Sequence, residues 1–442
     1  MKQLLFDDAL MESREGFTTT MNPAIRTEGP VLIPEKTWEH NAIWWIISVV
    51  DDEGVYKMWY DAWDEENQWR LCYATSQDGI HWVRPSLGVI EYRGSRDNNI
   101  VFERLTGGYH AGSVFKDPSA PSWKRYKYIY GGGEPLKIYG AYSPDGIRWT
   151  PCAKEPIIPW YTDTQNVCFW DSGLRKYVAF VRWNEKGYRA IGRTESEDFE
   201  NFPPPVKVHE PEEEERRGDS VPAMDLYNSA AVKYPYAANS YFMFPSAYYH
   251  DPPHTMDVQL ATSRDSIHFT RWKETFVRMG LEGAFDSQRI YMAPGMLRVG
   301  DEIWMYYGGL SRPHPPHPQA RPYPSRHGSV GRVRIRLDGF VSQDAPRAVG
   351  HLTTVPLRFT GNRLEVNMDG SAGGWLKVEV LDESMNPIQG FSEGEGDFLW
   401  GNSVRKPVTW KGKGDLSTLA GRIVRLHFIG RSVKLYAFQF LE

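Results

Sequence analysis

With 442 residues, the chain is long enough for two or three domains and a large buried core. Its net charge of −5 is spread along the sequence without a basic stripe, which argues against nucleic acid as a partner. No apolar run reaches membrane-spanning length, so no membrane partner is expected. Only Cys72, Cys152 and Cys168 occur, and they make neither a CxxC metal pair nor an even disulfide framework. The residues after Lys2 are too few and too polar for a secretory h-region, so the chain is expected to be cytoplasmic or to have lost an export leader. Oligomeric state is left open.

Residues 4–12 read as a short strand ahead of everything repetitive, expected to pair with the last unit and close a ring. The first unit begins near Trp38. Residues 43–50 form a continuous apolar run, residues 51–54 a hairpin turn, and residues 55–63 and 70–75 two more strands. Then comes a marked turn, Ser76, Asp78, Gly79 and Trp82, with residues 88–92 read as a fourth strand. The turn returns as Ser143, Asp145, Gly146 and Trp149, and in degraded form as Ser196, Asp198 and Phe202 and as Ser263, Asp265 and Phe269. Its serines lie 67, 53 and 67 residues apart, and Asp338, Gly339 and Phe340 echo it once more. Asp followed by Gly turns the chain because the carboxylate caps nearby N–H groups and Gly tolerates positive φ. The aromatic then plugs the gap to a neighbouring sheet. One ligand site needs no four copies, so the motif reads as a staple of a repeat fold.

Three meandering strands, a turn and a fourth strand describe a propeller blade. A second unit covers residues 109–159, a third 166–196, a fourth 229–263 and a fifth 289–337. The charge run 212–217 reads as a solvated loop, and the Pro-rich stretch 313–318 as a long surface loop. After residue 341 the turn pattern stops and short alternating strands follow. The expected fold is all-β: a five-bladed β-propeller over residues 1–341, then a C-terminal β-sandwich over 342–442.

Propellers carry ligands at one end of a central funnel, lined by the residues that start each innermost strand. Just ahead of those strands stand Glu39, His40 and Asn41; Tyr109 and His110; Asp163 and Gln165; Asp225 and Tyr227; and Glu282, Asp286, Arg289 and Tyr291. Carboxylates brought together in a narrow channel raise one another's pKa. Paired carboxylates are what glycosidic cleavage requires, one protonating the leaving oxygen and the other activating water or attacking the sugar. The candidate catalytic residues are therefore Asp163, Asp225, Asp286 and Glu39. The candidate substrate-binding residues are His40, Asn41, His110, Gln165, Arg182, Tyr227, Glu282, Arg289 and Tyr291. A carbohydrate substrate suits the 17 Trp and 24 Tyr, although an all-β core suits them equally. No cofactor is required. His314, His317 and His327, or His250 with His254, have metal-ligand chemistry, but loop histidines more often face solvent, and no metal is assigned.

Acidic funnel residues on five units followed by a sandwich resemble the glycoside hydrolases of families 32, 43 and 68. The stretches 73–82, 163–166 and 225–228 resemble uncharacterised bacterial family-32-like proteins. Trp38, Glu39, His40 and Asn41 stand where the sucrose-type Trp-x-Asn-Asp-Pro-Asn signature would be. By family 43 analogy, Glu39 is the first-blade base, Asp163 the pKa-tuning residue and Asp225 the acid. Some relatives also hold a calcium ion on the propeller axis, and a funnel this acidic could hold a structural calcium too, although none is required. The resemblance implies a glycoside hydrolase. Two alternatives stay open: a non-catalytic carbohydrate-binding protein, and a glycoside phosphorylase whose phosphate clamp would draw on Arg182, Arg289 and His110.

Overall fold

The computed structural model describes residues 2–43, 47–66, 68–103, 110–185, 187–314 and 328–442, and of residues 110 and 111 the backbone alone. The chain is all-β; its one described α-helix, Glu213–Arg217, is five residues long. Among the described residues no helix is long and apolar enough to cross a membrane.

Three antiparallel sheets of four strands follow in chain order. The first joins Ile47–Asp52, Val55–Trp63, Trp69–Ser76 and Ile100–Phe102. The second joins His110–Lys116, Tyr126–Gly132, Lys137–Ser143 and Thr150–Pro151. The third joins Val167–Asp171, Lys176–Glu185, Tyr188–Ser196 and Val206–His209. The fourth and fifth units share one eleven-stranded sheet, merged by a single parallel pair, Met256 with Arg289. In the fourth unit the first two strands are each broken in two, Met224–Leu226 with Val232–Lys233 and Tyr241–Met243 with Ser246–Tyr249. The breaks fall at Ala230, which has φ of 41°, and at Pro245, which has no N–H for the ladder.

Several expectations are corrected. Residues 4–12 do not pair with the last unit. Lys2–Leu4 pairs with Lys434–Leu441, and Met11–Glu15 with Gly350–Thr354. The strand added to the fifth unit is Ile25–Arg26, against Ser329–Arg336. The first unit's fourth strand is Ile100–Phe102; residues 88–92 are kept out of the ladder by the local turn that closes between Tyr92 and Ser95. The 212–217 charge run is a short helix, because buried Glu215 pairs with Arg271 and closes a capping box with Glu212. From residue 315 the Pro-rich stretch lies outside the described residues.

The repeated turn has one geometry in the copies that begin at Ser76, Ser143 and Ser263. Asp78, Asp145 and Asp265 each accept two backbone N–H bonds at 2.8 Å through one carboxylate oxygen. Ser76, Ser143 and Ser263 cap the backbone three residues on, at 2.8–3.0 Å. Every such turn is also held by a side chain of the preceding unit. Trp59 of the first unit donates to Gly146 O of the second at 2.6 Å. Lys127 of the second lies over Phe199 of the third. Arg193 of the third reaches Ser266 of the fourth at 3.2 Å, and Tyr234 of the fourth donates to Asp338 of the fifth at 2.6 Å. Tyr306 of the fifth donates to Gly79 O of the first at 2.7 Å.

A second motif repeats at the same edge. The aspartate near the end of a first strand accepts from a tyrosine of the next unit: Asp52 from Tyr126, Asp117 from Tyr177 and Asp171 from Tyr241. A lysine neutralises each of them, Lys57, Lys127 and Lys233 respectively. Many of the abundant tyrosines therefore serve the joints between units.

Two six-stranded sheets hold the rest of the chain, built from Val341–Asp344 onward together with the N-terminal strands Lys2–Leu4, Met11–Glu15 and Thr18–Met21. Their inward side chains, among them Leu364, Val366, Leu376, Val378, Leu426, Phe428 and Phe438, form one apolar cluster. Leu4 and Leu5 point to opposite sides, Leu4 into the core of the fourth and fifth units and Leu5 into the C-terminal core. That alternation makes the N-terminal segment a clasp between the two.

Burial raises the Asp117 carboxyl, but the bonds from Lys127, Ser119 and Tyr177 outweigh it and hold the group below its ordinary range. Its contribution to stability is therefore complete above the unfolded value of about 4 and is lost as pH falls through the depressed one. Asp117→Asn leaves Lys127 buried without its counter-charge and is expected to cost about 3–5 kcal/mol at neutral pH. Urea unfolding from pH 7 to pH 2 should show the gap to wild type narrowing below about pH 4.

Candidate functional site

In an antiparallel meander, the start of the first strand, the end of the second and the start of the third share one edge. The joints just described occupy the opposite edge. At the free edge of the third unit, Arg182 near the end of Lys176–Glu185 and Arg189 near the start of Tyr188–Ser196 project from the same face, because Asn184 pairs with Arg189. Arg182 pairs with Asp163 and donates to Asn184 at 2.9 Å. Arg189 donates to Asp225 at 2.6 Å, and Nε2 of His250 lies 3.1 Å from the same Asp225 oxygen.

Aromatic rings wall this pair of ion pairs. The Arg189 guanidinium lies 4.9 Å from the ring centre of Tyr227 and 5.4 Å from that of Tyr248. Tyr227 meets Tyr291 edge-on at 5.7 Å, and its hydroxyl is 3.2 Å from Nε2 of His314. His314 also packs on Tyr248 at 4.9 Å. Arg289 is 3.5 Å from the Tyr291 hydroxyl and donates to Arg312 O at 2.8 Å. Trp63, from the same edge of the first unit, belongs to this aromatic cluster and stacks on Trp69 at 5.1 Å.

Burial acts to raise the Asp225 carboxyl, yet His250 and Arg189 hold it below the usual carboxylate range, so it is ionised at neutral pH. Burial, and then the neighbouring Arg189, push the Arg182 guanidinium down. The Tyr227 phenol is raised by burial, with Arg189, Arg182 and Arg289 all pulling against that rise.

The remaining acids are held elsewhere. Asp286 is buried against the outermost strand of its own unit, accepting from Arg26 at 2.7 Å and Tyr307 at 2.6 Å. Glu39 is fully buried in the turn Thr37–Glu39. Its oxygens accept from Tyr60 at 2.6 Å, from Arg84 at 2.8 and 3.1 Å, and from the backbone of Glu35 and Lys36. Glu282 is exposed. Asp286 and Glu39 are thus each held by an arginine and a tyrosine of their own unit.

Gln165 is buried. It donates to Met292 O at 3.0 Å and accepts from Asn228 at 3.1 Å and Ala230 N at 3.0 Å. It ties the third, fourth and fifth units together. Asn41 pins the hairpin at Asp64, and half-buried His40 closes the 37–39 turn through its N–H. The side chain of His110, with His317 and His327, lies outside the described residues. Among the described residues no group of three or more His, Cys, Asp and Glu side chains is arranged to hold a metal.

Arg189, Tyr248 and the pairing of His250 with Asp225 escaped sequence reading, which, Arg182 apart, examined the starts of first strands. Strand alternation was the available signal. Two clefts, of about 670 and 710 Å³, open at the opposite edge beside Lys127 and Tyr177 and beside Lys233 and Tyr234, where the charged groups already pair with each other.

No family model matches the chain. An uncharacterised protein of Mycobacterium tuberculosis, present in two strains, is 29% identical over 159 residues, which is 33% of this chain and 47% of its own length. The chain thus spans about half the length of the curated relatives it matches. Among solved structures, an N-acetylgalactosamine deacetylase from F. plautii in complex with blood group B trisaccharide aligns with a TM-score of 0.51. Its identity is 12%, over 72% of this chain and 95% of that one. The α-L-arabinofuranosidase of Podospora anserina in complex with cellotriose aligns with a TM-score of 0.50 at 15% identity, over 72% of this chain and 98% of that one. At such identities the likeness is one of fold.

Asp286→Asn and Glu39→Gln are each expected to lower unfolding free energy by about 3 kcal/mol, since each weakens a buried, arginine-paired carboxylate. Denaturant titration of the two variants checks this, and wild-type stability in both would mean that these groups are not structural.

Proposed function

We propose that the chain is a carbohydrate-active enzyme that cleaves a glycosidic bond at the free edge of a five-bladed ring carrying a β-sandwich. The ring reading is supported by the circle of turn contacts, which runs from each unit to the next and from Tyr306 back to Gly79. The sandwich reading is supported by two six-stranded sheets that share one apolar cluster.

One observation carries the functional reading. Asp163 and Asp225, 62 residues apart in sequence, come under the neighbouring arginines 182 and 189 within a wall of Tyr227, Tyr248, Tyr291 and His314. Tyrosine faces suit the C–H surface of a sugar ring, and the carboxylates suit cleavage beside it. Asp225, held ionised, fits the group that activates water or attacks the anomeric carbon. It does not fit the proton donor suggested by family 43 analogy. Asp163, paired with Arg182 and with a side chain 34% exposed, supplies the second carboxylate of the pair. Two solved structures of similar fold, a deacetylase with blood group B trisaccharide and an arabinofuranosidase with cellotriose, support a carbohydrate ligand.

The test is turnover on a panel of furanoside and pyranoside oligosaccharides, with and without phosphate in the buffer. Asp225→Asn and Asp163→Asn should each lower kcat at least about 100-fold. Undiminished turnover in both variants would overturn the assignment, and cleavage that requires phosphate would make the reaction phosphorolysis.

A further inference from the structure

We infer that the C-terminal sheets carry a separate glycan surface, an aromatic platform with a cationic border that takes a uronic-acid polysaccharide. It shares no residue with the site at the free edge, so it does not depend on the glycosidic reading.

Strand alternation builds the platform. In Trp375–Leu381 the side chains of Leu376, Val378 and Val380 enter the apolar core, so Trp375 and Lys377 point the other way. Trp400 lies opposite Trp375 in the ladder, and Phe398, two residues earlier, falls on the same face. The ring centres of Trp375 and Phe398 are 5.0 Å apart, and those of Phe398 and Trp400 5.5 Å. Phe398 is 49% exposed and Trp400 51%. Large rings grouped in contact and left open to water mark a recognition surface.

The border is cationic. Nζ of Lys377 lies 4.8 Å from the Phe398 ring centre. Arg431, opposite Trp375 in the ladder, places its guanidinium 5.8 Å from the Trp375 ring centre. Arg431 also lines a cleft of about 450 Å³ together with Arg347 and the loop 370–374, so cleft and platform meet at this one side chain. Among the described residues none of Arg347, Lys377 and Arg431 enters an ion pair. The acids adjoining in sequence are engaged. Asp397 accepts from Thr409 at 2.6 Å and from Gly412 N at 2.8 Å, Asp369 from Ser371 N at 2.8 Å, and Glu379 pairs with His427 at 2.9 Å. In a chain of net charge −5, three such cations beside open rings complement an anionic ligand.

Size and shape favour a sugar over a protein. Three rings, two of them half exposed, offer roughly 300 Å² of apolar surface. A stable protein partner buries about 800 Å² per side, and the centre of such an interface is depleted of lysine. The C–H face of a sugar needs only one ring to stack on, and successive rings extend the surface beyond one sugar unit. A uronate holds its carboxylate directly on the sugar ring, beside the stacked face. There a planar guanidinium can bind both carboxylate oxygens.

Affinity electrophoresis of the full chain should compare gels containing polygalacturonate, dextran sulfate and dextran. Polygalacturonate is expected to bind at least about 10-fold more tightly than dextran, and Phe398→Ala, Trp400→Ala and Arg431→Gln should each remove most of that difference. All three side chains are exposed, and thermal melting checks the fold of each variant. The wild-type comparison needs no variant, so a misfolded one leaves the test intact. Asp225→Asn should bind polygalacturonate as wild type does, which separates the platform from the free edge of the ring. Equal retardation by dextran sulfate would overturn the uronate assignment in favour of general charge attraction. Undiminished binding in all three platform variants, or loss in Asp225→Asn alone, would overturn the platform. So would a dimer in sedimentation that Trp400→Ala dissolves, with no polymer bound, since the occupant would then be a second copy of the chain. Platform-dependent binding with no turnover of any saccharide would keep this inference and overturn the glycosidic reading.

Discussion

The hydrogen bond from a side chain of one unit to the turn of the next is the contact on which the architecture depends. A Ser-x-Asp-Gly turn satisfies its own backbone through the Asp and Ser oxygens but leaves a carbonyl or a small surface facing outward. Trp59, Tyr234 and Tyr306 bring a polar tip and a large apolar body to that surface, so each contact both pairs a polar group and fills the gap between sheets. The glycines are required for closeness as well as for positive φ. A Cβ on Gly146 would lie 2.4 Å from the Trp59 ring, and one on Gly79 would lie 2.7 Å from the Tyr306 hydroxyl.

That arrangement divides the molecule into two edges with different duties. At the turn edge nearly every charge has a fixed partner, Asp52, Asp117 and Asp171 with a lysine and a tyrosine each. At the other edge Arg182 pairs with Asp163, and Arg189 and His250 share Asp225. Fixed pairs stabilise a fold, whereas a buried carboxylate oxygen and a guanidinium nitrogen still lacking partners are the raw material of recognition. The amide of Gln165 joins three units by hydrogen bonds at both its ends.

The N-terminal strands explain how the C-terminal sheets stay attached. Leu4 and Leu5 send neighbouring side chains into two separate cores, Lys2 reaches Asp338 at 2.7 Å, and Arg264 holds Asp7. Four short segments before residue 27 thus pair with strands more than 300 residues later, a connection with high sequence separation that local patterning does not announce.

What the sequence determined by itself was whatever is local and periodic. Spaced serine turns announced repeated units, alternating apolar residues announced strands, and the change after residue 341 announced a second kind of sheet. Those features depend on neighbours a few residues apart, and many of them survived; the readings of residues 4–12, 88–92, 212–217 and the first strand of the fourth unit did not. Only the tertiary structure decided which acids meet. In the sequence Asp163, Asp225, Asp286 and Glu39 all stand ahead of an expected first strand and look alike, although Asp225 lies within Met224–Leu226. Arg26 and Tyr307 draw Asp286 to an outer strand, and Arg84 and Tyr60 draw Glu39 into a turn. The partners that make this choice lie 21 to 260 residues away, and a carboxylate's role follows from the charge that reaches it rather than from its place along the chain.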